Sequence, residues 1–381
     1  MFIIFFILAM ICYIPIVFYV GVRLWQVWAY FLPAGSKFIY WLIFIFFSFS
    51  LFLNLIVARY LPKGISEVFK IISYYWVVAI FYLFAILLIF DIFRLLSRML
   101  KIPLSVQNFI PQMGIFALAL VALLFIYGTW NAYNPKVNCY DINIAKSAGN
   151  LKELKAVVVS DLHLSSTVNN NHLQKMVEKI NSLNPDIVFI PGDIIEDTEA
   201  FKQQKMKETF SKLKPPYGVF VSLGNHEFYR GEVKEIVESL EEIGFQVLSD
   251  DYLKVADSFY VVGRDDPAGL HFGNKEGKRL REILAGIDHN LPIILLNHQP
   301  TELEEARLTG IDLQVSGHTH KGQVFPANLI TSRVFEKDWG YLQKGSLQLI
   351  VTSGYGLWGP PLRIGSNSEI VYITISFGAE K

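Results

Sequence analysis

Four apolar stretches in the first third of the chain constrain its fold more than any other feature. They cover residues 2–22, 38–58, 71–90 and 113–130, and none contains a Lys, Arg, Asp or Glu. Each is close to the roughly 20 apolar residues that a helix needs to cross about 30 Å of hydrocarbon. A soluble core rarely supplies four such uncharged runs. Residues 1–135 are therefore predicted to form an all-α domain with four transmembrane helices.

The flanks of these runs are also typical of membrane spans. Aromatic residues such as Trp25, Trp76 and Trp130 stand near the ends of the runs, as in an interfacial belt. The first run lacks a basic start and is followed by further spans, which is not typical of a cleaved signal peptide. No ionisable residue lies inside a predicted span, so no ion pathway is expected. The loop charges divide evenly between the two orientations, which leaves the side of the membrane open. We expect a multi-pass protein of the plasma membrane.

Residues 136–381 form the second predicted domain, and their charge differs from that of the first. The chain has 34 basic and 34 acidic residues, of which eight basic and two acidic ones precede residue 136. Subtraction leaves 26 basic and 32 acidic residues, a net charge of about −6 in the second domain. Such a surface does not favour the nucleic-acid backbone, so no nucleic-acid partner is expected. The expected partners are the lipid bilayer and a substrate.

The second domain alternates short apolar runs with polar, helix-like stretches. Apolar runs occur at 155–164, 185–193, 218–227, 259–266, 291–300 and 312–320, and candidate helices at 169–183, 198–213 and 232–244. Runs rich in Val, Ile, Leu and Phe are typical of strands that are buried on both faces. Strands that alternate with helices predict an α/β domain.

Potential metal ligands follow these predicted strands. The residues are Asp161, His163, Asp193, Asn225, His226, His298, His318 and His320, whereas His172, His271 and His289 lack this context and are interpreted as structural. Open α/β sheets bind ligands beyond the carboxyl ends of their strands. Asp-x-His and His-x-His place both side chains on one side of an extended segment. Imidazole and carboxylate donors suit two divalent ions such as Mn, Fe or Zn.

Five short motifs give the domain a family resemblance. The ordered set "SDLHL", "PGDII", "LGNHE", "LNHQP" and "SGHTH" resembles the calcineurin-like metallophosphoesterase superfamily. The stretches "GHTHKGQVFP" and "TSGYGLWGPPLRIG" are similar to bacterial membrane-linked phosphodiesterases and pyrophosphohydrolases. The resemblance covers about residues 150–380 and implies a four-layer αββα sandwich.

The resemblance also implies a role for each motif residue. Asp161, His163 and His320 are expected to bind one metal, Asn225, His298 and His318 the other, and Asp193 is expected to bridge the two. His226 is expected to contact the phosphate and assist the leaving group, which makes His226 and Asp193 the predicted catalytic residues. Asn225, His226 and Lys321 are the predicted substrate-binding residues.

These roles predict a membrane-anchored, dimetal-dependent phosphoester hydrolase. Two ions about 3.5–4 Å apart would lower the pKa of a shared water, and the resulting hydroxide would attack phosphorus in line. The expected substrate is a phosphodiester or pyrophosphate, either a phosphorylated small molecule or a lipid-linked compound. A nuclease or cyclic-nucleotide phosphodiesterase and a non-catalytic scaffold with the same fold are the alternatives. The complete set of seven ligands and His226 argues against the scaffold.

Overall fold

The computed structural model of the protein describes residues 2–101, 110–272 and 277–378. The described chain divides into two compact units. A helical unit comprises Met1–Gly128 and Gly359–Pro361, and an α/β unit comprises Thr129–Trp358 and Leu362–Lys381.

The described elements in the first part of the chain are all helices. Its helices are α1 (Phe2–Trp28), α2 (Lys37–Ser48), α3 (Ser50–Val57), α4 (Lys63–Met99) and α5 (Ile110–Tyr133). Within the described residues, three helices are long and apolar enough to cross a membrane: Ile7–Trp28, Lys63–Met99 and Ile110–Tyr133. The pair α2–α3 is bent by 62°, and the number of candidate spans rises to four if this pair counts as one. The predicted span 38–58 is therefore broken rather than continuous.

Side chains stabilise the break between α2 and α3. The Ser48 carbonyl accepts a hydrogen bond from the Tyr13 hydroxyl at 2.8 Å, and the Ser48 hydroxyl accepts one from Trp76 Nε1 at 3.2 Å. Backbone polar groups that leave a helix in an apolar bundle need such partners. The Ser48 and Tyr13 positions therefore allow a bend that hydropathy alone does not reveal.

The helix α4 extends well beyond the predicted span 71–90 at both ends. It continues through Asp91, whose carboxylate contacts the Arg23 guanidinium at 2.5 Å and accepts a hydrogen bond from the Tyr19 hydroxyl at 2.6 Å. Pairing offsets the cost of placing a charge beside apolar helices. Arg23 and Asp91 each lie one residue past a predicted span.

The described residues of the α/β unit form twelve strands in two mixed sheets. The strands are β1 (Lys136–Ile144), β2 (Glu153–Val158), β3 (Ile187–Pro191), β4 (Val219–Ser222), β5 (Gln246–Val247), β6 (Asp251–Val255), β7 (Phe259–Arg264), β8 (Ile293–Asn297), β9 (Leu313–Ser316), β10 (Gly340–Lys344), β11 (Leu347–Val351) and β12 (Glu369–Phe377). Their order is β1-β12-β2-β3-β4-β5 in one sheet and β10-β11-β9-β8-β7-β6 in the other.

Helices connect these strands. They are α6 (Asn170–Ser182), α7 (Thr198–Gln203), α8 (Met206–Phe210), α9 (Asn225–Tyr229), α10 (Val233–Glu241), α11 (Ala268–Phe272), α12 (Leu280–Ile283), α13 (Leu303–Leu308) and α14 (Ala327–Val334). The predicted helix 198–213 is two short helices, because Lys205 adopts a left-handed backbone conformation with φ 54° between them. A left-handed residue cannot continue an α-helix.

The two sheets pack face to face through an apolar layer. Residues such as Phe189 and Phe220 of the first sheet and Phe259 and Leu296 of the second belong to one buried cluster. A second cluster joins the other face of the first sheet to α6, α8 and α10, and a third joins the second sheet to α12 and α13. The α/β class and the four-layer αββα arrangement are confirmed.

Candidate metal centre

The predicted ligands lie on loops that leave the carboxyl ends of five strands. Asp161 and His163 follow β2, Asp193 follows β3, Asn225 opens α9 after β4, His298 follows β8, and His318 and His320 follow β9. The strands β2, β3 and β4 belong to one sheet and β8 and β9 to the other. The face-to-face packing of the sheets therefore brings residues far apart in sequence to one place.

A first group consists of Asp161, His163 and His320. The Nε2 atoms of His163 and His320 are 3.1 Å apart, and Asp161 Oδ1 is 3.5 Å from His320 Nε2. All three side chains are buried, and their potential ligand atoms lie within 4.8 Å of one another. The Asp161 carboxylate is held by the backbone N–H of His318 at 2.9 Å.

A second group consists of Asp193, His298 and His318, with Asn225 between them. His298 Nε2 is 3.1 Å from Asp193 Oδ2 and 3.1 Å from Asn225 Oδ1. His318 Nδ1 is 2.9 Å from the same Asn225 oxygen. Two imidazole nitrogens and two oxygens therefore converge on one point, as the ligands of a cation do.

Asp193 lies between the two groups. Its Oδ2 atom is 3.1 Å from His298 Nε2 in the second group and 3.8 Å from His163 Nε2 in the first. Its Oδ1 atom accepts the backbone N–H of His226 at 2.9 Å, which fixes the carboxylate. A carboxylate in this position can contact two cations at once.

The donor chemistry fits two divalent cations. His298 Nδ1 donates to the Pro191 carbonyl at 2.8 Å, which leaves the Nε2 lone pair directed at the second group. Burial lowers the pKa of His298, but the charge and hydrogen bond of Asp193 raise it well above its ordinary value, so a bound cation would replace a proton at Nε2. Burial and the His298 charge lower the pKa of His318 to about 3, which keeps that ring neutral, as a ligand must be.

Several predicted ligands have an unusual backbone conformation. A left-handed backbone is uncommon outside glycine and costs about 1–3 kcal/mol at each non-glycine position. Five of the predicted ligands nevertheless adopt positive φ angles: Asp161, His163, Asp193, His318 and His320. Such strain concentrates at functional sites because the local fold must impose it.

Two glycines allow the ligand loops to approach each other closely. A Cβ atom on Gly224 would lie 2.2 Å from Asp193 Oδ1, and one on Gly317 would lie 2.2 Å from Asp161 Oδ2. No side chain fits at either position. The glycines in "LGNHE" and "SGHTH" are therefore required by the carboxylates beside them.

His226 lies beside the ligands and is oriented by Glu196. The His226 Nδ1 atom is 2.6 Å from Glu196 Oε2, so its Nε2 atom is free to face a substrate. Burial lowers the pKa of His226. The hydrogen bond with Glu196 and the charges of Asp193 and Glu196 have the opposite and larger effect, so the pKa lies above its ordinary value. A histidine held in this way is suited to proton transfer.

Glu196 has a role that the sequence analysis did not assign. Besides His226, its carboxylate contacts His163 Nδ1 at 3.3 Å and the Arg230 guanidinium at 3.0 Å. It therefore links a predicted metal ligand to the predicted leaving-group residue. Its position in "GDIIE", three residues after Asp193, is the signal that could have identified it.

Two further buried charges support the loops. Glu227 accepts hydrogen bonds from the backbone N–H groups of Asp193, Ile194, Ile195 and Gly224. Burial and the Asp193 charge raise the pKa of Glu227, whereas two of these four backbone donors, Ile194 and Gly224, act against that rise. Glu227 thus holds the Asp193 loop and is not itself placed among the ligands.

The second buried charge, Arg363, was also missed by the sequence analysis. Its guanidinium is fully buried, donates to the carbonyls of Gly354 and Gly356 at 3.0 and 2.8 Å, and lies 3.4 Å from His320 Nδ1. The Gly356 N–H in turn donates to the Asp161 carbonyl at 2.9 Å. Arg363 therefore connects the loops that carry Asp161 and His320.

Lys321 contacts an aromatic ring. Its ammonium lies 3.5 Å from the centre of the Trp339 ring, in a cation–π contact. Burial lowers the pKa of this lysine. Its predicted contact with a substrate phosphate remains a prediction.

Comparison with known proteins assigns the family. The family model for calcineurin-like phosphoesterases matches residues 154–322. A Danio rerio transmembrane protein with a metallophosphoesterase domain is 34% identical over 272 residues, which are 68% of this chain and 62% of that protein. An uncharacterized metallophosphoesterase of Campylobacter jejuni is 34% identical over 270 residues, 68% of this chain and 70% of that protein. One from Aquifex aeolicus is 30% identical over 258 residues, 67% of this chain and 97% of that protein. The chain thus spans less than two thirds of the zebrafish relative but nearly all of the Aquifex one. It belongs to the calcineurin-like metallophosphoesterase family.

Proposed function

We propose that the chain is a membrane-anchored hydrolase of phosphodiesters or pyrophosphates that depends on two divalent metal ions. The observation that carries the proposal is the position of Asp193 Oδ2, 3.1 Å from His298 Nε2 and 3.8 Å from His163 Nε2. One carboxylate oxygen between two histidine-containing groups is the arrangement that two neighbouring cations require.

Each group has an assigned role in the proposal. Asp161, His163 and His320 would hold one ion, Asn225, His298 and His318 would hold the other, and Asp193 would be shared between them. Two divalent ions, when bound, supply a water of lowered pKa and positive charge that stabilises the phosphoryl oxygens. The histidine-rich donor set favours Mn, Fe or Zn.

His226 and Asn225 act on the substrate. His226 Nε2 donates a proton to the leaving oxygen, while Glu196 holds Nδ1 at 2.6 Å and keeps the ring oriented. The neutral amide of Asn225 contributes an oxygen without adding negative charge, so an anionic phosphate is not repelled. The attacking water and the leaving alcohol or phosphate lie on opposite sides of phosphorus.

The apolar helices support a membrane location. Three or four of them are long and apolar enough to cross a bilayer, and we propose that they anchor the chain as a multi-pass protein of the plasma membrane. The substrate is proposed to be a phosphorylated small molecule or a lipid-linked compound. The net acidic charge of residues 136–381 favours these over nucleic acid.

The test compares metal-dependent turnover of two substrates by the full chain in detergent. Metal is removed with a chelator, Mn²⁺ is restored, and hydrolysis of bis-p-nitrophenyl phosphate is measured beside that of p-nitrophenyl phosphate. We expect Mn²⁺-dependent turnover of the diester and two bound ions per chain by elemental analysis. In Asp193→Asn, we expect the turnover and the binding of two ions to be lost. Turnover that persists without metal, or in Asp193→Asn at the original rate, would contradict the proposal.

A further inference from the structure

Exposed apolar side chains of the α/β unit are concentrated around the metal-ligand groups. From Lys136 onwards, the described residues include ten large apolar side chains that are exposed. Eight of these lie on segments beside the ligands and are named the apolar rim: Tyr229, Leu270, Phe272, Phe325, Leu329, Ile330, Val334 and Trp358. The other two, Leu253 and Leu308, lie in β6 and α13. Scattered exposed residues are ordinary, but a concentration of them marks a binding surface.

The helix α14 forms one side of the apolar rim, and its side chains are not buried by neighbouring elements. No residue of α14, all of which the structure describes, is buried, and the residues Ile330 and Val334 are 62% and 67% exposed. Its first turn nevertheless packs tightly on the segment after His320, because a Cβ atom on Gly322 would lie 2.1 Å from Asn328 N. The helix is thus held firmly in place while its apolar side chains face outward.

Hydrogen bonds fix this helix to the loop between two ligands. The hydroxyl of Thr319, between His318 and His320, donates to the Asp338 carbonyl at 2.6 Å, and the hydroxyl of Thr331 in α14 donates to the Asp338 carboxylate at 2.7 Å. The Phe335 ring, directly after α14, lies 5.9 Å from the His318 ring. The rim on this side therefore begins at a metal ligand.

The other side of the rim begins at His226. The Trp358 ring lies 6.4 Å and the Tyr229 ring 5.5 Å from the His226 ring. The Phe272 ring lies 5.2 Å from that of Tyr229 and carries the apolar surface outward. Apolar groups thus extend in two directions from residues that would contact a phosphate.

We infer that the apolar rim binds the hydrocarbon chains of a lipid substrate whose phosphoester or pyrophosphate group lies at the metal-ligand groups. This inference rests on the proposed function and narrows its substrate to lipids. The chain itself carries helices apolar enough to cross a bilayer, so lipid would be held at high local concentration. A protein partner that covered both sides of the rim would close access to the ligands. A hydrocarbon chain attached to the reacting phosphate would not.

The test uses two p-nitrophenyl diesters that differ only in the length of the second alcohol. The full chain in detergent with Mn²⁺ is assayed on p-nitrophenyl ethyl phosphate and on p-nitrophenyl hexadecyl phosphate in mixed micelles. The bond that breaks and the leaving group are the same in both. We expect a higher kcat/KM on the hexadecyl ester. The triple variant Leu329→Gln, Ile330→Gln, Val334→Gln should lose about tenfold or more on that ester, and less than about twofold on the ethyl ester.

The control is the double variant Leu253→Gln, Leu308→Gln, which should leave kcat/KM on both esters unchanged. Because the three replaced side chains in α14 are exposed, the thermal unfolding of the triple variant should match that of the parent chain. Equal kcat/KM on the two esters, or an equal loss on both in the triple variant, would overturn the lipid assignment and leave the hydrolase intact. A triple variant that keeps the hexadecyl preference would show that α14 does not bind the hydrocarbon chain, and it would also overturn the assignment. Absence of Mn²⁺-dependent turnover of either ester would overturn the proposed function itself.

Discussion

Replacing Glu196 by Gln tests whether this carboxylate acts through His226. Glu196 is 2.6 Å from His226 Nδ1, 3.3 Å from His163 Nδ1 and 3.0 Å from the Arg230 guanidinium. Glutamine keeps the size of the side chain and can still accept one hydrogen bond from His226. It removes the negative charge that favours the protonated ring and that orients His163.

The expected loss follows from the contacts that change. Removing a partner that orients a ligand or an acid typically costs about 10–100-fold in activity or metal affinity. Removing a general acid costs about 10²–10⁴-fold, which is the expectation for His226→Asn. Because Glu196 acts through His226, the double variant should be nearly as active as His226→Asn alone. Independent action would multiply the two losses and make the double variant slower by a further 10–100-fold or so.

The assay is kcat/KM on bis-p-nitrophenyl phosphate for the four members of this cycle, at Mn²⁺ concentrations that saturate each variant. Metal affinity is measured separately by calorimetry, so that any effect through His163 is removed from the comparison. Arg230→Gln serves as the control, because this guanidinium is largely exposed and its pairing with Glu196 should contribute less than about threefold. Losses that multiply in the double variant, or an Arg230→Gln loss as large as that of Glu196→Gln, would refute the reasoning.

Two further predictions concern packing and pH. Gly317→Ala would bring a Cβ atom within 2.2 Å of Asp161 Oδ2 and should lower kcat/KM on the order of 100-fold by displacing that carboxylate, whereas Gly64→Ala, with no atom within 4 Å, should have no effect. Burial lowers the pKa of His172 to about 4, below its ordinary value of 6.5, so this group stabilises the fold fully above pH 6.5 and loses that contribution as the pH falls towards 4. His172→Gln should therefore reduce the loss of unfolding free energy between pH 7 and pH 4 by about 3 kcal/mol, measured by denaturant titration at both pH values. An unchanged pH dependence in the variant would show that His172 is not the group that titrates.

The parts of the fold that are visible in the sequence are those that local pattern determines. The long apolar runs predict the helices. Strands buried on both faces must be apolar throughout, and each of the six predicted runs contains a strand: β3, β4, β7, β8 and β9 lie wholly inside their runs, and β2 begins two residues before its run. The break at Phe49 is not visible, since it depends on Tyr13, which is 35 residues from Ser48. The pairing of β1 with β12 is equally non-local, because these strands join opposite ends of the α/β unit.

The candidate site also has features that follow from local sequence and features that depend on distant contacts. Each predicted ligand follows from its own short motif, because the chemistry of a donor is a property of one residue, and its role stays a prediction. The position of Glu196 in "GDIIE" can be noticed in the sequence, but its contacts and those of Arg363 cannot, since they join residues that follow different strands. For Lys321 the sequence shows its place directly after His320 but not the contact of its ammonium with the Trp339 ring.

Cross-linking between loops explains why the ligands can adopt strained backbone conformations. The N–H of Asp161 donates to the Gly192 carbonyl at 3.1 Å, and the N–H of His163 donates to the Asp193 carbonyl at 3.0 Å. The N–H of Gly317 donates to the His298 carbonyl at 2.9 Å. Each strained loop is thus held by hydrogen bonds from another loop that carries ligands. A left-handed residue at about 1–3 kcal/mol persists only where its surroundings impose it, so the five positive-φ ligands depend on the other loops more than on their own sequence. The candidate metal centre is therefore a property of the two packed sheets together, and we expect a substitution that distorts one loop to lower the affinity of both groups for a cation.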